Sequence, residues 1–322
     1  MLTLRERYRG TLVGVLAGDS LGAPYEKRDP VDIAVDLDRR GGLMPFDYED
    51  PWGRSGTFPA GRPTDDSELT AALAQSLIEC NGSNPSHQYD LFRRTVNGES
   101  FLWDGEANEF SEATRRMLLA DDYKEALLRD NQPRAPSNGS LMRSAPLSLF
   151  YHNRSAFLLQ AAAKASSAVT HINETAIECC SVYVRILDWL LYGYSPKDAW
   201  ESACERGSNH DAVYLFLTRD LPKPEATNVW LVKGGLAGSA LHTLHVAMWS
   251  TLYATDFRDG VEKAVRFGGD TDTTGAVAGS MLGAHFGLEG IPAEWRSILK
   301  GHDRMIDLAD QLHDLASDNS ED

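Results

Sequence analysis

The sequence predicts an all-α protein folded as one domain, an orthogonal helical bundle. Three observations carry that prediction. Apolar residues recur at three- and four-residue spacing through most of the chain. Strand-like alternation is confined to residues 31–37. Two glycine stripes, Gly10/Gly14/Gly18 and Gly275/Gly279/Gly283, repeat every fourth residue and so line single faces of two helices. With 322 residues, 42% of them hydrophobic and 24% charged, the chain has ample material for a core. We expect the domain to span 1–316, followed by a disordered acidic tail over 317–322.

The first helix is predicted over residues 3–18, with Leu4, Tyr8, Leu12, Val15 and Leu16 on one face. Each glycine in a helix interior costs about 1 kcal/mol against alanine. Three on one stripe therefore imply that another backbone approaches closely, and the Gly275 stripe is the predicted partner. Asp19 and Glu26 follow in Gly18–Glu26, either as acids of a site or as an ordinary C-terminal loop.

Val31, Ile33, Val35 and Leu37 alternate with polar positions and read as a strand, one arm of a short edge hairpin. A Gly-, Pro- and Asp-rich loop over 38–63 leads to a helix with Leu69, Leu73 and Leu77 stacked. Residues 85–130 read as two polar-faced helices, and 155–168 as an Ala-rich one. The clearest amphipathic helix has Ile172, Ala176, Cys180, Tyr183, Leu187 and Leu191 on its apolar side. Its wet side holds Glu174, Glu178, Ser181, Arg185 and Asp188. A Pro-containing connection covers 205–228, and a helix is expected over 229–254, including Gly234, Gly235 and Gly238. The last helix is expected over 293–315, with Ile298, Met305, Ala309 and Leu312 on one side.

Composition excludes some functions. A net charge of −16 argues against nucleic acid or an anionic membrane as partner, though not against a small anion bound locally. Cys80, Cys179, Cys180 and Cys204 show no C-x-x-C spacing and read as reduced thiols. The charged start, Met1–Arg9, lacks a secretory signal, and no apolar run reaches membrane-spanning length. A cytoplasmic monomer is the expectation.

The chemistry concentrates in two acidic turns. Phe267–Gly279 packs Asp270, Asp272, Thr271, Thr273 and Thr274 behind two glycines, at a predicted helix start. Carboxylates held that close repel unless one takes a proton or a cation sits between them. Oxygen ligands from Asp and Thr suit a hard ion such as Mg²⁺ or Mn²⁺. The alternative is a helix cap, but a cap needs one such residue and this run has five. The second turn, Thr64-Asp65-Asp66-Ser67-Glu68, also opens a helix, and Asp65 with Glu68 fits a capping box. Taken with the first turn, it reads as half of a shared metal site. Ser137–Ser140 forms a small-residue turn whose amides suit an oxyanion, or else a plain Asn-Gly turn. His171, just before the amphipathic helix, either caps it or contacts a ligand.

With these segments in hand, the chain resembles the ADP-ribosylglycohydrolase family, which includes the dinitrogenase-reductase-activating glycohydrolase. The resemblance runs over nearly the whole length. It rests on Gly14–Glu26 (GVLAGDSLGAPYE), Gly61–Glu68 (GRPTDDSE), Ser137–Pro146 (SNGSLMRSAP), Thr170–Ala176 (THINETA) and Phe267–Gly279 (FGGDTDTTGAVAG). It implies an all-α fold around a two-metal centre of Mg²⁺ or Mn²⁺, with Thr64, Asp65, Asp66, Asp270, Asp272 and Thr273 as ligands. Glu26 matches a mobile acid that closes over the metals, and Glu26, Asp65 and Asp66 become the catalytic candidates. Ser137, Asn138, Gly139, Ser140 and His171 match positions near the pyrophosphate and ribose of ADP-ribose. The implied reaction frees ADP-ribose from a modified protein side chain, arginine above others, or else from a small-molecule or nucleic-acid-linked ADP-ribosyl group.

Some positions depart from the family pattern. Ser67 stands for the commoner Thr, Pro63 for a frequent aromatic, Ser239 for a substrate-facing Tyr and Thr274 for Ile. Two rival readings are weighed beside this one. His302-Asp303 is an H-D pair of the sort found in helical metal phosphohydrolases, and a family member stripped of metals would be a binding protein.

Overall fold

The computed structural model describes residues 2–49, 56–107, 110–120, 122–129, 135–205, 213–214 and 237–318. These are overwhelmingly helical, as the periodicity requires. In chain order the helices are α1 (Leu4–Gly22), α2 (Pro30–Arg40), α3 (Asp65–Cys80), α4 (Pro85–Val96), α5 (Glu112–Met117), α6 (Tyr123–Arg129) and α7 (Ala145–Tyr151). Then come α8 (Ala156–Ala168), α9 (Glu174–Leu191), α10 (Pro196–Glu205), α11 (Ala240–Leu252), α12 (Phe257–Val265), α13 (Thr271–Phe286), α14 (Ala293–Arg296) and α15 (His302–Asp318). The described sheet is one antiparallel pair, β1 (Tyr48–Glu49) with β2 (Thr57–Phe58), in register Tyr48 to Phe58.

Helices α1 and α13 form the central pair, and the glycine stripes are the reason. A methyl group built on Gly10, Gly14 or Gly18 would strike the carbonyl of Gly283, Gly279 or Gly275 respectively. The reverse holds for methyls built on the α13 glycines. The expected close approach of the two backbones is therefore present. Around this pair pack α15, α9, α11, α12 and α3, and one hydrophobic core runs from Tyr8 to Ala316. Buried hydroxyls tie the layers together: Tyr8 donates to the Leu149 carbonyl at 2.7 Å, and Tyr183 pairs with Ser280 at 2.6 Å.

Several expectations are corrected. Residues 31–37 are not a strand but the body of α2, whose Asp29 side chain caps the Val31 N–H with Pro30 in the first turn. On a helix Ile33 and Leu37 share the buried face, while Val31 and Val35 share the exposed one. The short hairpin lies instead in the loop that follows. The first helix runs on to Gly22, so Asp19 is inside it rather than in a loop. The described part of residues 85–130 holds three helices, not two.

The wet side of α9 is largely buried, with Glu178, Ser181 and Arg185 all inside, because neighbouring helices cover both of its faces. The helix expected from 229 is described from Ala240, behind the left-handed Gly238 and a Ser239 cap. Gly234, Gly235 and most of the 205–228 connection lie outside the described residues, as does the side chain of Cys204. The last predicted helix is two, α14 and α15. They are broken at Gly301, which adopts φ +91 and packs against Leu102. Ser317 and Asp318 continue α15 rather than starting a loose tail, and 319–322 lie outside the described residues.

Candidate metal centre

The site is built where α1, α3 and α13 meet. Thr64 caps α3 with extended backbone, its hydroxyl accepting from the Asp66 N–H at 3.4 Å. This replaces the Asp65–Glu68 capping box. The Glu68 carboxylate turns away instead, accepting from the Ser100 hydroxyl at 2.6 Å and the Phe101 N–H at 2.8 Å.

Asp19, whose role the sequence left open, holds this turn from α1. Its carboxylate accepts from the Thr64 N–H at 3.0 Å and the Thr64 hydroxyl at 2.7 Å. It also accepts from the Ser67 N–H at 3.1 Å and from the Ser67 hydroxyl. The Ser67-for-Thr departure is harmless here, because only the hydroxyl is used. Burial pushes the Asp19 carboxyl up to about 6, against the opposing pull of hydrogen bonds from Ser67 and Thr64.

The two acidic turns, some two hundred residues apart in the chain, come together. Thr273 Oγ1 lies 3.4 Å from Asp66 Oδ2, while Asp66 Oδ1 is buried with no hydrogen-bond partner among the described residues. Burial first, then the like charges of Asp19, Asp65 and Asp270, push Asp66 well above the usual carboxylate range. Asp272 is raised in the same way, by burial and then by Glu26, Asp270 and Asp66. Thr271 anchors its turn by donating to the Gly22 carbonyl at 2.8 Å, so α13 starts against the end of α1.

Glu26 reaches the cluster on a short tied loop. The Lys27 N–H donates to the Gly269 carbonyl at 2.6 Å, and the Gly269 N–H to the Arg28 carbonyl at 3.3 Å. Gly268 and Gly269 both have positive φ, and a side chain on Gly268 would meet the Arg28 carbonyl and Pro30. That is why two glycines precede Asp270.

The predicted substrate-side residues divide. Asn138 is engaged by the acidic turn, its Nδ2 donating to Asp270 Oδ2 and to Thr243 Oγ1, both at 2.9 Å. The Ser140 hydroxyl faces the core, 2.8 Å from Ser167 Oγ, so only its backbone can meet a ligand. Ser137 bridges to Ser239, which fixes the turn against the start of α11. The His171 ring lies over Gly139, and Asn173, not His171, caps α9. The H-D pair sits apart: His302 Nδ1 bonds Asp303 at 2.9 Å, and Asp303 is fully exposed, so that rival lacks a site.

Comparison with known proteins identifies the family. The family profile described as ADP-ribosylglycohydrolase matches residues 1–322. An ADP-ribosylarginine hydrolase Tri1 of Pseudomonas putida (strain GB-1) is 26% identical, covering 97% of this chain and 79% of that protein. The ADP-ribosylhydrolase ARH3 of Mus musculus is 27% identical, over 98% of this chain and 93% of its own. Among solved structures, an ADP-ribosylglycohydrolase-related protein complex superposes with TM-score 0.76 at 28% identity, covering 97% of this chain and 99% of that one. A profile match along the full chain, on a fold that joins the two acidic turns, places this protein in the ADP-ribosylglycohydrolase family, as a hydrolase of glycosidic bonds to ADP-ribose.

Proposed function

We propose that the enzyme releases ADP-ribose from a modified protein side chain, arginine first, using two divalent cations, Mg²⁺ or Mn²⁺, at the acidic end of the α1–α13 pair. The observation that carries this reading is the meeting of Asp66 and Thr273, which leaves Asp66 Oδ1 buried without a partner among the described residues. The donor set fits hard cations: Thr64, Asp65, Asp66, Asp270, Asp272 and Thr273 offer only oxygen. Among the described residues no three carboxylate, imidazole or thiolate side chains converge on one point. The resemblance to an ADP-ribosylarginine hydrolase supports arginine as the linked residue.

When bound, two such ions supply the positive charge that orders the vicinal hydroxyls of a ribose. The chain's own groups do the rest. Asp19 fixes Thr64 and Ser67, so the Asp65–Asp66 pair is held from behind. Asn138 orients Asp270 by donating to Oδ2. Asp66, whose affinity for a proton is raised, and Glu26, on its tied loop, are the groups placed to exchange a proton with water. The surrounding carboxylates stabilise the oxocarbenium-like charge that develops as the glycosidic bond breaks.

The test is release of ADP-ribose by the purified protein from arginine-linked, serine-linked and small-molecule conjugates, with and without Mg²⁺ or Mn²⁺. Cation-dependent release, fastest from arginine, is expected. No release from any conjugate at saturating cation would overturn the reading.

A further inference from the structure

A pocket of about 310 Å³ opens between α7, α8 and α9, and no residue of the acidic turns lines it. That volume is at the small end of the range for ligand pockets. Its charged lining is Arg154, Arg185 and Asp188, and its aromatic lining is Trp189, Tyr192 and Tyr194. Arg154 is set there by the end of α7. Asn153 adopts the left-handed conformation, φ +64, and turns the chain back, so that the Arg154 N–H donates to the Tyr151 carbonyl at 3.0 Å. The guanidinium carbon then lies 4.3 Å from the centre of the Phe150 ring and 5.6 Å from that of Tyr151. Such stacking satisfies the flat faces of the group and none of its N–H edges. Nε and Nη2 are buried with no hydrogen-bond partner among the described residues, which leaves Nη1 as the accessible end.

Asp188, on α9, is half engaged. Its Oδ1 accepts from His152 Nδ1 at 2.7 Å, and its Oδ2 has no hydrogen-bond partner among the described residues. Arg154 and Asp188 share the pocket without pairing, since no nitrogen of one lies within 4.0 Å of an oxygen of the other. A ligand with a single charge would be drawn by one of these groups and repelled by the other. A ligand carrying both signs gains a charge-assisted bond at each end. A free α-amino acid has both on one carbon, whereas a residue inside a peptide has neither. The walls choose the side chain. Trp189 and Tyr194 meet edge to face with centroids 4.7 Å apart, and Tyr192 lies 4.3 Å from the His152 ring. Tyr192 and Tyr194 are 50% and 45% exposed, which is apolar surface that a ligand ring would cover.

We propose that this pocket binds a free aromatic α-amino acid. Its carboxylate pairs with Arg154, its ammonium with Asp188 Oδ2, and its ring lies among Trp189, Tyr192 and Tyr194. Arg185, in the same lining, adds to the attraction for the carboxylate. The site is separate from the acidic turns, and its ligand is independent of the reaction proposed above.

Calorimetric titration of the full chain with L-phenylalanine, L-tyrosine and L-tryptophan tests it. Whichever binds most tightly is then compared with its amide, which lacks the carboxylate, and with its deaminated acid, which lacks the ammonium. Each analogue should bind about 10-fold or more weakly, since each forfeits one charge-assisted contact. Arg154→Met should weaken the amino acid by about 10-fold or more and leave its amide within about twofold of its wild-type affinity. Asp188→Asn should weaken the amino acid by a similar factor and leave the deaminated acid bound at least as well as before. Should Asp188→Asn disturb the His152 bond and fail to fold, Arg154→Met and the two analogues carry the test. A wild-type protein that binds none of the three amino acids would overturn the proposal. So would a deaminated acid that binds as tightly as the amino acid, or amino-acid binding unchanged in Arg154→Met. Release of ADP-ribose is not the readout, so failure here leaves the proposed reaction standing, and failure there leaves this site standing.

Discussion

The glycine seam between α1 and α13 and the acidic cluster at its end lie on the same two helices, yet they are opposites. Along the seam, Gly10, Gly14 and Gly18 meet Gly283, Gly279 and Gly275 with backbone against backbone and no polar side chain at those positions. A few residues on, the same helices present Asp19 and Asp272, which with Asp66 crowd buried negative charge into one place. The seam is complete by itself, whereas the cluster is short of positive charge. A fold holds such a deficit only where the seam and its neighbours are strong enough to keep the helices together. The shortfall marks the end where the proposed site lies.

That contrast can be broken at the seam first. Gly14→Ala would raise helix propensity on an isolated helix, but here the new methyl has only the Gly279 carbonyl to meet. A loss of about 3 kcal/mol or more is expected, seen as a collapse of the urea midpoint or as insoluble protein. A neutral result would show that the two backbones are not in contact.

At the cluster the signs should invert. Asp66→Asn should cut ADP-ribose release by about 10³-fold, as loss of a catalytic carboxylate does. It should also stabilise the metal-free protein by about 1–2 kcal/mol by removing repulsion among buried carboxylates. Chemical denaturation in chelator and a turnover assay check the two halves separately.

The pH dependence sharpens the comparison further. Burial raises Asp19 to about 6 and Glu68 to about 7, so the folded state holds protons that the unfolded chain releases at lower pH. Their stabilisation is fully present below about pH 4 and is lost as pH rises through 6 to 7. On the order of 3 kcal/mol is expected from Asp19 alone. Without divalent cations the urea midpoint should fall across that window, and saturating Mn²⁺ should flatten the fall. The smallest expected effect is at Lys27, a non-glycine residue at φ +65. Lys27→Gly should stabilise by about 0.5–1 kcal/mol while leaving its N–H bond to Gly269 intact.

The seam is legible in the sequence because a glycine at every fourth position weakens a helix unless a second backbone lies against it. The α2 segment misleads because Val31, Ile33, Val35 and Leu37 fit two periods at once. As i, i+4 pairs they make one exposed and one buried stripe, and the Asp29-Pro30 start is the discriminating signal. Asp66 and Asp270 can be picked out as types, since Thr and Asp crowd two helix starts beyond what a single cap needs. Asp19 cannot be assigned to Thr64 and Ser67, nor Asn138 to Asp270, because those pairings cross from one helix to another and leave no local spacing.

The interlocked glycines have one more consequence. A helix meshed by a four-residue repeat cannot slide by a fraction of a step; its next fitting position is one notch away, at roughly 6 Å. The carboxylates at the ends of α1 and α13 therefore keep a fixed separation, like jaws on a ratchet. Any accommodation of bulkier or smaller leaving groups has to come from the parts outside the ratchet, the Glu26 loop and the Ser137–Ser140 turn.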